Sequence, residues 1–172
     1  TATQSSPYSW SAVNDGSISV AAGAALQLAT SFAGNAAFTD GGAIVNGGSI
    51  SMATSSGAAT WTQSGGSLSG NPVVLGNGTT LADSAGTGQF TLEGNTAITG
   101  TIPAGQTVTA EGQANGTTLS LKSATLVDDG SLVLDAPGSG TSSGGPLIVT
   151  GGGIQDNGSL TAQVDDPSWM IH

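Results

Sequence analysis

The sequence predicts an all-β chain wound as a parallel β-solenoid. Three observations carry that expectation. A turn-then-strand phrase recurs along the chain, the strands it marks are very short, and aromatic residues make up only 4% of the composition. A narrow solenoid lumen accepts Ala, Val, Ile and Leu, whereas a β-sandwich core, the alternative architecture, usually needs larger aromatic filling.

The phrase consists of a polar residue, Gly, then Ser or Thr, followed by an alternating apolar run. It reads NDGSISV from Asn14 to Val20 and NGGSISM from Asn46 to Met52. Weaker copies start at Ser64 and Gly76, and the phrase returns from Ala114, Asp128 and Asp156. Its turn glycines are Gly16, Gly48, Gly66, Gly78, Gly116, Gly130 and Gly158. Asn-Gly and Asp-Gly tolerate positive φ and make tight turns, and the residues that follow alternate sides with a period of two. Further strand-like runs fill the gaps: ALQLA from Ala25, GGAIVN from Gly41, PVVL from Pro72, QFTLE from Gln89, QTVTAE from Gln106 and PLIVT from Pro146. The Ala-rich stretch from Val20 to Phe38 has room for a turn or two of helix, yet Leu26 and Leu28 alternate as in a strand.

The spacing of the turn glycines is irregular, so the coils must be unequal. At roughly 18 to 25 residues per coil the chain makes about seven to nine coils, a rod roughly 35 to 45 Å long. One domain spans 1–172, with 1–13 as an N-terminal cap or flank and 165–172 as a C-terminal tail. Terminal coils of a solenoid expose strand edges and lumen. Trp10 and Trp169 sit where they would lid those ends, and an end-to-end homodimer through a terminal coil is expected.

Charge narrows the partners. Eleven acids face one cation, Lys122, and there is no arginine. Nucleic acid is excluded, because neutralising phosphates takes many Lys or Arg. Anionic membranes and acidic polysaccharides are disfavoured for the same Coulombic reason. The absence of cysteine removes disulfides and thiolate metal sites. No stretch approaches the length of a membrane span, and the opening TATQSSPYSW lacks the basic and apolar regions of a signal peptide.

The segments GGSLSGNPVVLGNGTTL, GTIPAGQTVTAEG and DDGSLVLDAPGSG resemble β-helical repeat regions of large bacterial secreted and surface proteins. Those include actinobacterial extracellular repeat proteins and adhesin-like passengers. The resemblance runs from Asn14 to Val164. It implies right-handed coils, a secreted or cell-surface location, and an adhesive or spacer role beside neighbouring domains of a larger protein. It carries over no functional residue.

Candidate chemistry is thin. Asp128-Asp129 and Asp165-Asp166 are adjacent in sequence, but neighbours on a strand point to opposite faces, and the first pair occupies the turn slot. Glu93 and Glu111 both end strand runs and lie 18 residues apart, which is one coil and would place their carboxylates on adjacent rungs. His172 is the only histidine and the last residue, so His-dependent triads and metal sites fail. The segment GGGIQDNGSL lacks the tandem phase of a calcium β-roll. No cofactor and no metal are implied. The Asn-Gly-Thr/Ser sequons at Asn77, Asn115 and Asn157 coincide with turn phrases. Carbohydrate binding wants an aromatic platform, and Trp61, between Thr60 and Thr62 in a strand-like run, is the candidate. Ice binding needs a rank of Thr-x-Thr, and that pattern is not in register here.

The expected function is a non-catalytic extracellular structural or adhesive module. The alternative is a β-helix that binds neutral glycans, or hydrolyses polysaccharide, using Trp61, Glu93 and Glu111. Convergence of Trp61 and two acids in one groove favours the alternative, and their dispersal favours the module.

Overall fold

A computed structural model describes residues 9–30, 34–136 and 146–164. Within them the chain winds about six turns, and its strands form seven stacked tiers. The first holds β1 (Trp10–Asn14), β2 (Ser17–Val20) and β3 (Ala25–Thr30), and the second β4 (Ala36–Asp40), β5 (Ala43–Asn46) and β6 (Ser49–Thr54). β7 (Ala59–Gly70) and β8 (Val73–Leu75) make the third, and β9 (Thr79–Glu93) bends round the whole of the fourth. β10 (Asn95–Ile102) with β11 (Gln106–Glu111), β12 (Thr117–Asp128) with β13 (Ser131–Ala136), and β14 (Leu147–Asp156) with β15 (Ser159–Val164) complete the stack.

Each strand pairs in parallel with its counterpart one coil away; one continuous ladder runs β1-β4-β7-β9-β10-β12-β14. Hairpin pairing, which a sandwich requires, is absent among the described residues. The fold is a β-solenoid of about six turns. That is fewer than seven to nine, because several coils are longer than the assumed range. Trp10 pairs with Ala36, 26 residues on, and Thr117 with Leu147, 30 on. The middle coils are the shortest, with Val73 opposite Phe90 and Thr80 opposite Ala97, both 17 on. Among its described residues the Val20–Phe38 stretch contains the strand β3 and no helix. The ladder begins at Trp10, within 1–13, whereas Trp169, Asp165-Asp166, His172 and the 165–172 tail lie outside the described residues.

Alternation along each strand builds the lumen. Phe38, Trp61, Leu81, Ile98 and Leu121 stack on one wall, and Ile50, Val73, Phe90, Val108 and Leu132 on the facing sheet. All ten are buried, each contributing about 1.5–3 kcal/mol of hydrophobic stabilisation. Trp61 is the hub. Its ring centroid lies 4.5 Å from Phe38 and 5.9 Å from Phe90, the latter edge-on. Such aromatic pairs add about 0.5–1.5 kcal/mol beyond area burial.

One inward row is polar. Asn14, Asp40, Gln63 and Asp83 occupy equivalent positions on successive rungs. Asp40 accepts from Asn14 Nδ2 at 2.7 Å and from Gln63 Nε2 at 3.0 Å, and Gln63 Oε1 accepts the Trp61 indole N–H at 3.0 Å. Asn14 and Asp40 also accept the N–H of Gly16 and Gly42 two residues on, fixing the turn from within. Asp128 repeats the device on a later coil, accepting from Gly130 and Leu132, while Asp129 accepts from Asn157 Nδ2 on the outside. The adjacent aspartates therefore stand on opposite sides of the wall, as the period of two requires.

Only three of the seven phrase glycines, Gly66, Gly78 and Gly116, have positive φ. At Gly48, Gly130 and Gly158 the constraint is stacking, because a Cβ would run into carbonyls of the preceding coil. The phrase is thus a marker of close coil packing as much as of left-handed backbone.

Candidate functional site

Trp61, the sugar-platform candidate, is turned into the lumen and has no exposed surface. Thr60 and Thr62 take the outer face instead. A strand places neighbours on opposite sides, and the indole is the larger apolar group, so burial wins it. Trp61 is a core residue and offers no face to a ligand. The outer Thr rows are short as well. Thr60 stacks on Thr80 and Thr39 on Thr62, and each pair is bounded by an alanine on at least one side (Ala37 and Ala97, and Ala82).

Glu93 and Glu111 do come together. They are register partners on β9 and β11, and Asp135 on β13 follows Glu111 in the same outward row. Burial, and secondarily the charge of Glu111, raises the Glu93 carboxyl above its ordinary range. Among the described residues no three acidic or histidine side chains converge as a metal site would need.

Glu93 also opens onto a hollow produced by unequal turns. The chain leaves the β3–β6–β8–β11 face and enters the next coil at one corner of the solenoid. At that corner Ser55–Ala58 joins β6 to β7, Gly76–Gly78 joins β8 to β9, and Gly94 alone joins β9 to β10, whereas Gly112–Gly116 joins β11 to β12. The short turns recede and the longer ones stand proud on either side. The result is a groove of about 820 Å³ lined by Thr54, Ser55, Asn77, Glu93, Asn95, Gln113 and Asn115, with the backbone of Gly76, Gly94 and Gly116. Two further hollows adjoin it. One, of about 470 Å³, lies toward Ser56 and Gly57, and the other, of about 320 Å³, lies toward Thr80, Thr118, Ser120 and Lys122.

The floor and the far wall are firmly held. Asn77 Oδ1 accepts the Asn95 N–H at 2.7 Å. Gly94 has φ +68° and lies directly under the Asn77 side chain, so the position admits no Cβ. The buried Thr117 hydroxyl donates to Glu111 O at 2.8 Å and accepts the N–H groups of Gln113 and Gly94, tying the raised turn to the floor. By contrast, the side-chain amides of Asn95, Gln113 and Asn115 make no hydrogen bond to any described residue. The rigid groove thus presents uncommitted amide donors and acceptors and one half-buried carboxyl.

Sequence reasoning found Glu93 and placed Asn77 and Asn115 in turns, but it did not join them with Asn95 and Gln113. The available signal was the one-residue turn at Gly94 beside the five-residue turn ending at Gly116. Comparison with known protein families, curated proteins and solved structures finds no match to this chain.

Proposed function

We propose that the chain is a rigid structural or adhesive module of a secreted or cell-surface protein, a stalk that spaces or presents neighbouring domains. The observation that carries this reading is the unbroken parallel ladder from β1 to β14 around a filled lumen. A load applied along the axis is shared by a row of backbone hydrogen bonds at each of the stacked interfaces, and the chain cannot extend without breaking them in groups. The outer rows are dominated by Ser, Thr and Ala; the hydroxyls hydrate the rod, and the alanines between them add little apolar surface.

Ser11 and Thr150 end one outward row and lie six rungs apart, roughly 29 Å at the parallel-strand spacing. The chain has no native cysteine, so a Ser11→Cys/Thr150→Cys variant can be spin-labelled cleanly. A stalk gives one narrow distance distribution near that value, together with cooperative unfolding under axial force. A broad distribution, or gradual extension at low force, removes the stalk reading.

Glycan hydrolysis has less support. It requires two carboxyls flanking one bond, and Glu93 lines the groove whereas Glu111 does not. Binding without hydrolysis is favoured by a separate observation, the amide-lined groove.

A further inference from the structure

We propose that the corner groove over Gly94 binds a neutral, hydroxyl-rich glycan chain laid over the turns of successive coils. The inference deepens the glycan-binding reading and is independent of the stalk reading.

The groove's chemistry selects the ligand class. Apart from Ala53 its lining residues are polar or glycine, so no large apolar side chain is present to hold an apolar ligand. Its single ionisable group is the Glu93 carboxyl, with Glu111 on the next rung, and the chain as a whole carries a net charge of −10. An anionic ligand is therefore repelled. Lys122, in the adjoining hollow, is engaged with Thr80 Oγ1 at 2.9 Å. The groups left open are the carboxamides of Asn95, Gln113 and Asn115. Each offers two donors and an acceptor side by side, which suits the mixed donor and acceptor pattern of vicinal hydroxyls.

Shape selects a chain rather than a monosaccharide. The groove shares Asn95 with two adjoining hollows, one bordered by the Ser55–Gly57 turn and the other by Thr80, Thr118 and Ser120, which lengthens the polar surface beyond a single sugar ring. A ligand following them would pass over Gly94, where the missing side chain brings it close to the backbone. A peptide is the competing occupant. Peptides commonly bind by adding a strand to a free sheet edge. The strands bordering this groove, β6, β8, β9, β10, β11 and β12, are all paired on both sides.

No aromatic ring lines the groove, so binding rests on hydrogen bonds exchanged with water and is weak, with Kd about 1 mM. Multiple copies on a surface would strengthen binding by avidity.

The test is a heteronuclear NMR titration of the full chain, following side-chain amide resonances. The probes are neutral hexasaccharides of glucose, mannose, galactose and N-acetylglucosamine, beside oligogalacturonate and a Gly-Ser peptide. At least one neutral hexasaccharide is expected to shift the Asn95, Gln113 and Asn115 amides. An Asn95→Ala/Asn115→Ala variant, whose lost amides make no hydrogen bond to a described residue, is expected to keep its melting temperature and bind at least tenfold more weakly. Three results overturn the proposal: silence with every neutral hexasaccharide up to about 20 mM, shifts with the peptide or the anionic sugar alone, or binding undiminished in the double variant. None of these alters the distance between Ser11 and Thr150, so the stalk reading stands or falls separately.

Discussion

Inside the lumen, Gln106 Nε2 donates to Asp83 Oδ2, while the second Asp83 oxygen and the Gln106 amide oxygen are both buried without a partner. One proton answers both vacancies. A protonated Asp83 can donate from its free oxygen to Gln106 Oε1, closing a two-bond ring between carboxylic acid and carboxamide. Burial dominates the electrostatics here and pushes Asp83 up to about 8, the Ser84 and Gln106 hydrogen bonds opposing it only in part.

Stability is therefore predicted to fall with rising pH. An unfolded Asp83 loses its proton near pH 3.8, whereas the folded one keeps it to about 8. The contribution is complete below the lower value, declines between the two, and is lost above the upper one. Glu93 and Asp128 are also raised, chiefly by burial, and add slope of the same sign. Asp83→Asn keeps a neutral amide partner for Gln106 and removes the titration. Urea denaturation between pH 4.5 and 9 should show the slope reduced by up to about one proton, with the variant more stable than the parent at pH 9. An unchanged slope would mean that Asp83 is already ionised in the fold.

Trp61 separates a core role from a binding role. Trp61→Ala opens a cavity between Phe38 and Phe90 and strands the Gln63 amide oxygen that accepts the indole N–H. The expected cost is about 3–5 kcal/mol, read by denaturation. Weakened glycan binding at unchanged stability would contradict its placement in the lumen.

Two glycines of the same phrase should respond in opposite ways. Gly16→Ala meets nothing within 4 Å and requires no left-handed backbone, so its effect should stay within about 0.5 kcal/mol. Gly66 has φ +69°, and its Cβ would collide with the Gly42 backbone one coil back. Gly66→Ala should cost at least about 2 kcal/mol. Equal melting temperatures for the two variants would count against coil stacking at this turn.

That contrast shows where the sequence is legible. Period-two alternation reports which side of a strand a residue takes, so the solenoid and the Glu93–Glu111 pairing one coil apart can be read directly. It is blind to which side is inside when both neighbours are plausible, and Trp61 between Thr60 and Thr62 looked like a surface platform for that reason. Glycine letters do not distinguish a left-handed φ from a crowded neighbour, because the neighbour belongs to another coil. The groove was hidden for the same reason. Asn77, Asn95 and Asn115 are far apart in sequence, and they meet only because the turns at Gly76–Gly78 and Gly94 are shorter than that at Gly112–Gly116.

The last described coil supports one further prediction. Val149 and Leu160 continue the inward rows of Leu119 and Leu132 by one rung, yet they are 37% and 41% exposed where those above them are fully buried. Among the described residues β14 and β15 have a partner on one side only. An unpaired parallel edge above an open apolar row is a template for another chain. A second copy supplies both the missing hydrogen bonds and the missing apolar contacts, so the protein is predicted to self-associate through this coil at high concentration. Sedimentation velocity over a concentration series should show a reversible dimer, and Val149→Lys/Leu160→Lys should return it to monomer, since two buried ammonium groups per chain cannot be accommodated at the contact. A parent chain that stays monomeric throughout would mean that this edge is already covered within one molecule.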